Sequence, residues 1–351
     1  MPALAVADAL RAEGAEVSFL GTGERAEAEL VPAAGYEIDL LRVSGLDRRN
    51  PLRAARALGQ AANAVPAARR VLRRRGARAV LGAGGYVAAP AGLAALSLRL
   101  PLVLSEADSH LGLTNRLLAP RAARICLAFP IPGREGGRYV LTGRPVPATI
   151  GHADRATARA RFGIAEQDRC LLVFGGSQGA RSINLAAVEA FAANEAEGRE
   201  FHVLHISGRR DHEEVLERLT GAGSPPRYTL LDFEPDLADA LAACDLVLAR
   251  AGGSIFEVAA AARPAILVPY PHAAARHQHA NASWMAEAGA AVVLEDSELR
   301  PERVRSLSTE LLADDQRLER MAAASRALAR PDAAARIAAV LLDAARGAAR
   351  P

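Results

Sequence analysis

A short apolar run that ends in glycines and restarts as a helix recurs three times in this chain. Ala79 to Leu81 runs into Gly82-Ala83-Gly84-Gly85-Tyr86. Cys170 to Phe174 runs into Gly175-Gly176-Ser177-Gln178-Gly179-Ala180-Arg181. Leu246 to Ala249 runs into Arg250-Ala251-Gly252-Gly253-Ser254-Ile255-Phe256-Glu257. A run that is apolar at successive positions, rather than at alternate ones, reads as a strand covered on both faces. Such strands belong to parallel sheets whose crossovers are helices. Glycines at the exit let the backbone approach a ligand closely, and the helix that follows offers its N-terminal N–H groups to an anion. The feature therefore selects an α/β fold and already marks where a ligand would sit.

The remaining runs fit this frame. Strands are expected at Glu16 to Leu20, Leu102 to Leu104, Val140 to Thr142, His202 to Ile206, Tyr228 to Leu231, Ala265 to Val268 and Ala291 to Leu294. Helices are expected over Pro2 to Gly14, from Pro90, over Ala153 to Phe162 and over Ala333 to Ala345. The chain thus opens on a helix, where an α/β domain ordinarily opens on a strand. At 351 residues, half of them apolar, it is long enough for two cores. Gly143-Arg144-Pro145-Val146-Pro147 reads as an interdomain linker. The expected division is 1–147, 148–330 and a closing helix over 331–351. The two main parts would be Rossmann-like, doubly wound halves whose strand ends face a shared cleft.

Charge and cysteine content narrow the function classes. The formal charge is +3, all 43 basic residues are Arg, and aromatics are only 4% of the chain. With no stacked-aromatic or zinc-knuckle pattern, nucleic-acid binding is not expected. The densest basic run, Arg69, Arg70, Arg73, Arg74, Arg75 and Arg78, reads as a solvated helix end, with an anionic lipid surface as the alternative. Cys126, Cys170 and Cys244 are scattered, which suits a reducing compartment and neither a disulfide framework nor a zinc site. No apolar run is as long as a membrane span, and the N-terminus does not read as a signal peptide.

The turns carry the candidate chemistry. The Gly175–Arg181 turn is not a G-x-x-x-x-G-K-[ST] loop, since the chain has no Lys; it is either a phosphate-facing turn or a bare βα turn. Glu257 falls in the first turn of a helix, as a ribose-binding carboxylate or as a partner of the helix dipole. His272, His277 and His279 lie close together without HExxH spacing, so a loop is expected rather than a metal site; its Gln278 and Asn281 either hydrogen-bond sugar hydroxyls or belong to a polar loop leading into a capped helix. In the first half, Glu106 and Asp108 stand at a strand's end, where carboxylates can serve as base or can cap a helix.

Together, PALAVADAL, AELVPAAGYEIDLLRVSGL, GAGGYVAAPAGLAA, GLTNRLLAP, FGGSQGARSIN, DLVLARAGGS and PAILVPYPH followed by HQHANA resemble the MurG family of glycosyltransferases over nearly the whole chain. The resemblance implies a GT-B fold and inverting transfer of N-acetylglucosamine from UDP-N-acetylglucosamine to the C4 hydroxyl of undecaprenyl-diphosphate-N-acetylmuramyl pentapeptide (lipid I), giving lipid II. It places the enzyme peripherally on the cytoplasmic face of the cell membrane, in cell-wall biogenesis, cell shape and division. Proteins of cell-wall synthesis and division and an anionic membrane surface are the implied further partners, with no metal or cofactor. By resemblance, Gly176, Ser177, Gln178, Gly179, Phe233, Glu234, Arg250, Gly252, Gly253, Ser254, Glu257, His277, Gln278 and Asn281 hold the donor. Gly84, Gly85, Tyr86 and Asn115 shape the acceptor side, and Glu106 and Asp108 are the catalytic candidates.

Three departures stand out. The family's opening strand and GGTxGH loop, with the His usually taken as base, would precede Met1; a mis-assigned start is the expectation, leaving a gap in the first sheet. Ser105-Glu106-Ala107-Asp108 stands for an HEQN-like string, without its His. Pro147 stands where the family has an Arg facing the donor diphosphate. The rival readings are another GT-B UDP-sugar transferase with a lipid acceptor, such as a diacylglycerol glycosyltransferase, a UDP-N-acetylglucosamine 2-epimerase, a dehydrogenase, and a shortened chain that binds UDP-N-acetylglucosamine without catalysis. GGSQGA and GAGGYV lack the dehydrogenase spacing.

Overall fold

The computed structural model describes residues 2–23, 27–41, 43, 51–85, 87–176, 179–192, 201–273 and 276–347, with backbone only for 51–58 and 61–62. The first half runs α1 (Pro2–Ala12), β1 (Ser18–Gly21), α2 (Glu27–Ala33), β2 (Glu37–Leu40), α3 (Pro51–Arg74), β3 (Val80–Gly82), α4 (Ala88–Ser97), β4 (Leu102–Glu106), α5 (Leu113–Leu118), β5 (Arg124–Leu127) and β6 (Tyr139–Leu141). The second runs α6 (Arg155–Phe162), β7 (Arg169–Phe174), α7 (Arg181–Phe191), β8 (Phe201–Ile206), α8 (His212–Gly221), β9 (Tyr228–Leu231), α9 (Leu237–Ala243), β10 (Leu246–Arg250), α10 (Ile255–Ala260), β11 (Ala265–Val268), α11 (His277–Glu287) and β12 (Ala291–Val293). Helices α12 (Pro301–Leu312), α13 (Asp315–Leu328) and α14 (Ala333–Gly347) close the chain. The molecule divides into two units, Met1–Val146 with Arg330–Pro351, and Pro147–Ala329.

In unit 1 the described strands form two parallel ladders, β1-β2 and β3-β4-β5-β6. Helix α1 turns Val6, Ala7 and Leu10 inward. Val6 and Leu10 share one apolar cluster with Val103 of β4, Cys126 of β5 and Ile337, Ala338 and Leu341 of α14. The last helix is thus part of unit 1's core although unit 2 intervenes in sequence. Strands β2 and β5 were not expected. β2 alternates Glu37 and Asp39 with Ile38 and Leu40, and β5 enters the buried apolar run Ile125 to Leu127 from exposed Arg124. Burial pushes the Cys126 thiol up to about 12, where it is inert. At the end of α3, Arg74 and Arg75 pair with Asp39, and Arg75 also pairs with Glu37 of β2. That part of the basic run is matched within the protein.

Unit 2 holds one six-stranded parallel sheet in the order β12-β11-β10-β7-β8-β9. From β7 the chain builds outward through β8 to β9, then returns to lay β10 on the other side of β7 and continues to β12. Leu171, Leu172, Val173, Leu246, Val247, Leu248, Ile266 and Leu267 are wholly buried. Asp245, just before β10, accepts from Arg155 and Arg159 of α6 and from the Cys170 N–H. This half-buried carboxylate welds α6 to the amino-terminal ends of β7 and β10. Both units are Rossmann-like, the GT-B fold class expected from the sequence.

Candidate functional site

The reversal of strand order in unit 2 falls between β7 and β10, which pair with Ala249 opposite Phe174. Two of the three glycine turns therefore leave the sheet side by side. Ligands of doubly wound sheets bind outside the carboxyl ends of the strands at such a switch point.

The first turn is held by glycine for steric reasons. A Cβ on Gly175 would lie 2.3 Å from the Ala180 nitrogen, so the turn folds back tightly on itself. Gly179 has φ +73° and would drive a Cβ to within 2.6 Å of the Ser207 carbonyl oxygen; a side chain there would meet both strain and overlap. The Gly179 N–H closes the turn on the Gly176 carbonyl at 2.9 Å. Helix α7 then begins at Arg181 with no side-chain cap, leaving its first N–H groups facing outward from a positive helix end. Arg181 itself grips Glu214 through two nitrogens, at 2.6 and 2.8 Å. Ser177 and Gln178 lie outside the described residues.

The second turn is organised by Arg250. Its side chain is only 11% exposed and its Nη1 lies 2.6 Å from Asp296. Nη2 donates to the Ser182 hydroxyl at 2.7 Å, and Nη1 also to the Val268 and Pro269 carbonyls. The guanidinium stands 5.3 Å from the Tyr270 ring centre. Arg250, expected on the donor side, here joins β10, α7, the β11 exit and the turn at 296 through Nη1 and Nη2. Asp296 and Ser182 escaped the sequence reading, and nothing in the sequence around Asp296 marks it. Past the glycines, Ile255 and Phe256 bond back to the Gly252 and Gly253 carbonyls, Ser254 makes no side-chain cap, and Glu257 lies in the first turn of α10.

His277 and Gln278 were expected on a loop; they open helix α11, which Arg276 enters at φ +52°. Gln278 accepts the Tyr270 N–H at 2.9 Å, so the helix start and the β11 exit are tied together. Buried Asn281 donates to the Ala251 carbonyl at 2.9 Å and steadies the second turn, while its Oδ1 has no partner. His279 contacts Glu295, and His272 stacks edge-on against Tyr270. Among the described residues no group of three or more His, Cys, Asp or Glu could hold a metal ion. At the end of β9, Phe233 is 37% exposed, with Arg209 at 4.6 Å over its ring. Glu234 is buried instead and bound by Arg161 at 2.6 Å. Its side chain braces α6, which leaves Phe233 as the outward side chain of the pair.

In unit 1, Gly84 and Gly85 follow β3 with φ +89° and +77°. Tyr86 lies outside the described residues. The Glu106 carboxylate is buried at the end of β4, accepting from Asn115 Nδ2 and the Gly112 N–H, both at 2.8 Å, and from the Asp108 N–H at 3.2 Å. Glu106 and Asn115 thereby close the loop between β4 and α5. Asp108 stands on that loop, half-buried.

Two uncapped, glycine-bounded turns at the switch point of a parallel sheet, in a chain of two Rossmann-like units, form the arrangement in which doubly wound folds present backbone N–H groups to phosphate-bearing ligands. The comparisons with known proteins say which kind. The glycosyltransferase family 28 N-terminal domain matches residues 1–127 and the C-terminal domain of the same family matches residues 170–337. The chain belongs to glycosyltransferase family 28. It is 40% identical to the UDP-N-acetylglucosamine–N-acetylmuramyl-(pentapeptide) pyrophosphoryl-undecaprenol N-acetylglucosamine transferase of Moorella thermoacetica, covering 97% of this chain and 94% of that one. The transferase of the same name from Acidithiobacillus ferrooxidans is 43% identical over 99% of this chain and 94% of its own. The crystal structure of Acinetobacter baumannii MurG superposes with a TM-score of 0.77 at 31% identity, covering 97% and 95% of the two chains.

Proposed function

We propose that this enzyme moves N-acetylglucosamine from UDP-N-acetylglucosamine to the C4 hydroxyl of the N-acetylmuramyl group of undecaprenyl-diphosphate-N-acetylmuramyl pentapeptide, forming lipid II. The observation that carries this reading is the pair of adjacent turns after β7 and β10, on a chain whose full-length relatives bear that activity in their names. The diphosphate sits against the Gly175–Arg181 turn, where backbone N–H groups and the α7 dipole stabilise the charge that grows on departing UDP. Phe233 faces the uracil, Glu257 takes the ribose hydroxyls, and His277 and Gln278 meet the sugar. Ser177, Gln178, Gly252, Gly253 and Ser254 complete the donor side. Gly84, Gly85 and Tyr86 face the acceptor.

Displacement with inversion needs a group to take the proton of the attacking hydroxyl. Of the two carboxylates proposed from the sequence, Glu106 holds the loop in place, and Asp108 is the one that meets the acceptor. The enzyme works on the cytoplasmic face of the membrane without crossing it. No described helix is long and apolar enough to cross. Leu93, Leu113 and Leu117 expose 50%, 41% and 68% of their surface on α4 and α5, and support contact with lipid from unit 1. No metal or cofactor is needed in this scheme.

The test is calorimetric titration with UDP-N-acetylglucosamine, followed by transfer to a lipid I analogue. Binding and transfer are the expected results; a folded chain that binds no UDP-N-acetylglucosamine overturns the reading. Glu257→Ala should weaken UDP binding by about 1.5–3 kcal/mol through the loss of charge-assisted hydrogen bonds, and unchanged affinity removes Glu257 from the site.

A further inference from the structure

We propose that His205 is a positioning residue for the donor-phosphate turn, acting through Asn184 and Asp211. The proposal rests on the reading that the Gly175–Arg181 turn takes the donor diphosphate. His205 is the last residue but one of β8 and is wholly buried. Its Nδ1 is 2.7 Å from the Tyr228 hydroxyl on β9, and its Nε2 is 3.0 Å from Oδ1 of Asn184 on α7.

The direction of every bond follows from Asn184. Its amide nitrogen donates to the Ser207 carbonyl at 2.8 Å and to Asp211 Oδ2 at 3.0 Å, so the atom facing His205 is the amide oxygen. An amide oxygen only accepts, hence Nε2 carries the ring proton. Nδ1 is then the ring's lone pair and accepts from Tyr228. Burial keeps the ring neutral, with its pKa lowered to about 3. The result is a one-way chain of donors, Tyr228 to His205 to Asn184 to Asp211, with no buried member left unmatched. Its carboxylate end also receives Arg210 Nε at 2.8 Å.

The chain ends directly beneath the turn. The two acceptors that hold Asn184 are the atoms that a Cβ on Gly179 would meet, the Ser207 oxygen at 2.6 Å and Asp211 Oδ2 at 3.1 Å. Gly179 therefore rests on the same oxygens that fix the side chain of Asn184, on the first turn of α7. The network sets the height of the turn and the register of α7 over the sheet together. An apolar side chain could fill the volume of His205, but it could not aim the Asn184 amide. Without that aim the amide loses its oxygen's partner and is free to turn away from Ser207 and Asp211. Preorganised N–H groups lose much of their effect on a developing anion with small displacements.

The test compares wild type with His205→Leu, His205→Gln and Tyr228→Phe, by UDP titration below each protein's melting temperature and by steady-state kinetics. His205→Leu should lose roughly tenfold in UDP affinity and raise the donor KM in parallel, with the acceptor KM unchanged. His205→Gln, which can donate to Asn184 and accept from Tyr228, should recover most of that loss. Tyr228→Phe should lose about two- to fivefold. A purely structural role lowers the melting temperature and leaves the donor KM of the folded protein alone. Folded His205→Leu with wild-type UDP affinity, or His205→Gln as defective as His205→Leu, overturns the proposal. If His205→Leu does not fold, Tyr228→Phe decides, and wild-type affinity there overturns it. If wild type itself binds no UDP, the functional reading falls and this inference with it; if wild type binds and the variants match it, only the inference falls.

Discussion

The glycine turns of unit 2 hang from β7 and β10, neighbours inside a six-stranded sheet, whereas the glycine turn of unit 1 hangs from β3, which among the described residues stands at the edge of a four-stranded one. β11 is buried along its whole length; β2 has no buried residue, and in β1 and β3 only the last residue, a glycine, is buried. A turn at the end of a central strand inherits the rigidity of ladders on both sides. A turn on an edge strand of three residues inherits much less. Donor-phosphate stabilisation asks for fixed N–H groups, and the turns proposed for it lie in the more rigid setting.

Hydrogen exchange gives the largest expected contrast. Amides of β7 and β10 should exchange only through global opening of unit 2, and those of β1 and β3 faster by at least roughly a hundredfold. Equal protection in the two sheets would remove the distinction. Core truncation sharpens it residue by residue. Leu248→Ala, at a wholly buried position of β10, should cost about 3–5 kcal/mol by denaturant unfolding, and Leu81→Ala, partly buried in unit 1, about 1–2 kcal/mol.

A smaller contrast comes from pH. His205 is lowered in the folded state to about 3, below the ordinary histidine value of about 6.5. The unfolded chain therefore takes the proton first. Stability from the neutral ring is complete above the ordinary value and is lost as pH falls from there toward 3. Between pH 6.5 and pH 5 this is about 2 kcal/mol. His205→Gln should remove that part of the acid sensitivity of unit 2, as read from melts at a series of pH values; an unchanged pH slope would mean that His205 does not carry it.

How much of this could be read beforehand follows from where each signal lies. The strands of unit 2 were visible because burial on both faces requires unbroken apolar runs, as in Cys170 to Phe174. β2 was less plain because Glu37 and Asp39, which pair with Arg75 and Arg74, alternate with Ile38 and Leu40 over only four residues, a short period-two pattern beside the long unbroken runs of unit 2. The glycine turns were legible as glycine runs after apolar strands; at Gly175 and Gly179 close backbone approach excludes other residues, and at Gly84 and Gly85 positive φ disfavours them. The roles of Arg250, Glu234 and Glu106 were not. Whether an Arg or a carboxylate meets a ligand or braces a loop depends on partners such as Asp296, Arg161 and Asn115, which the fold alone brings near.

Helix α14 belongs to unit 1, so unit 1 is split in sequence and unit 2 is continuous. On a ribosome the order of completion is therefore the reverse of the order of synthesis. Residues up to Val146 emerge with Val6, Leu10 and Val103 lacking the cover of Ile337, Ala338 and Leu341, and wait roughly 10–40 s at ordinary elongation rates for that helix. Unit 2 needs nothing made after it. The nascent first unit is the one that presents unfinished apolar surface to chaperones, and a stop codon before Ala333 would leave it in that condition permanently.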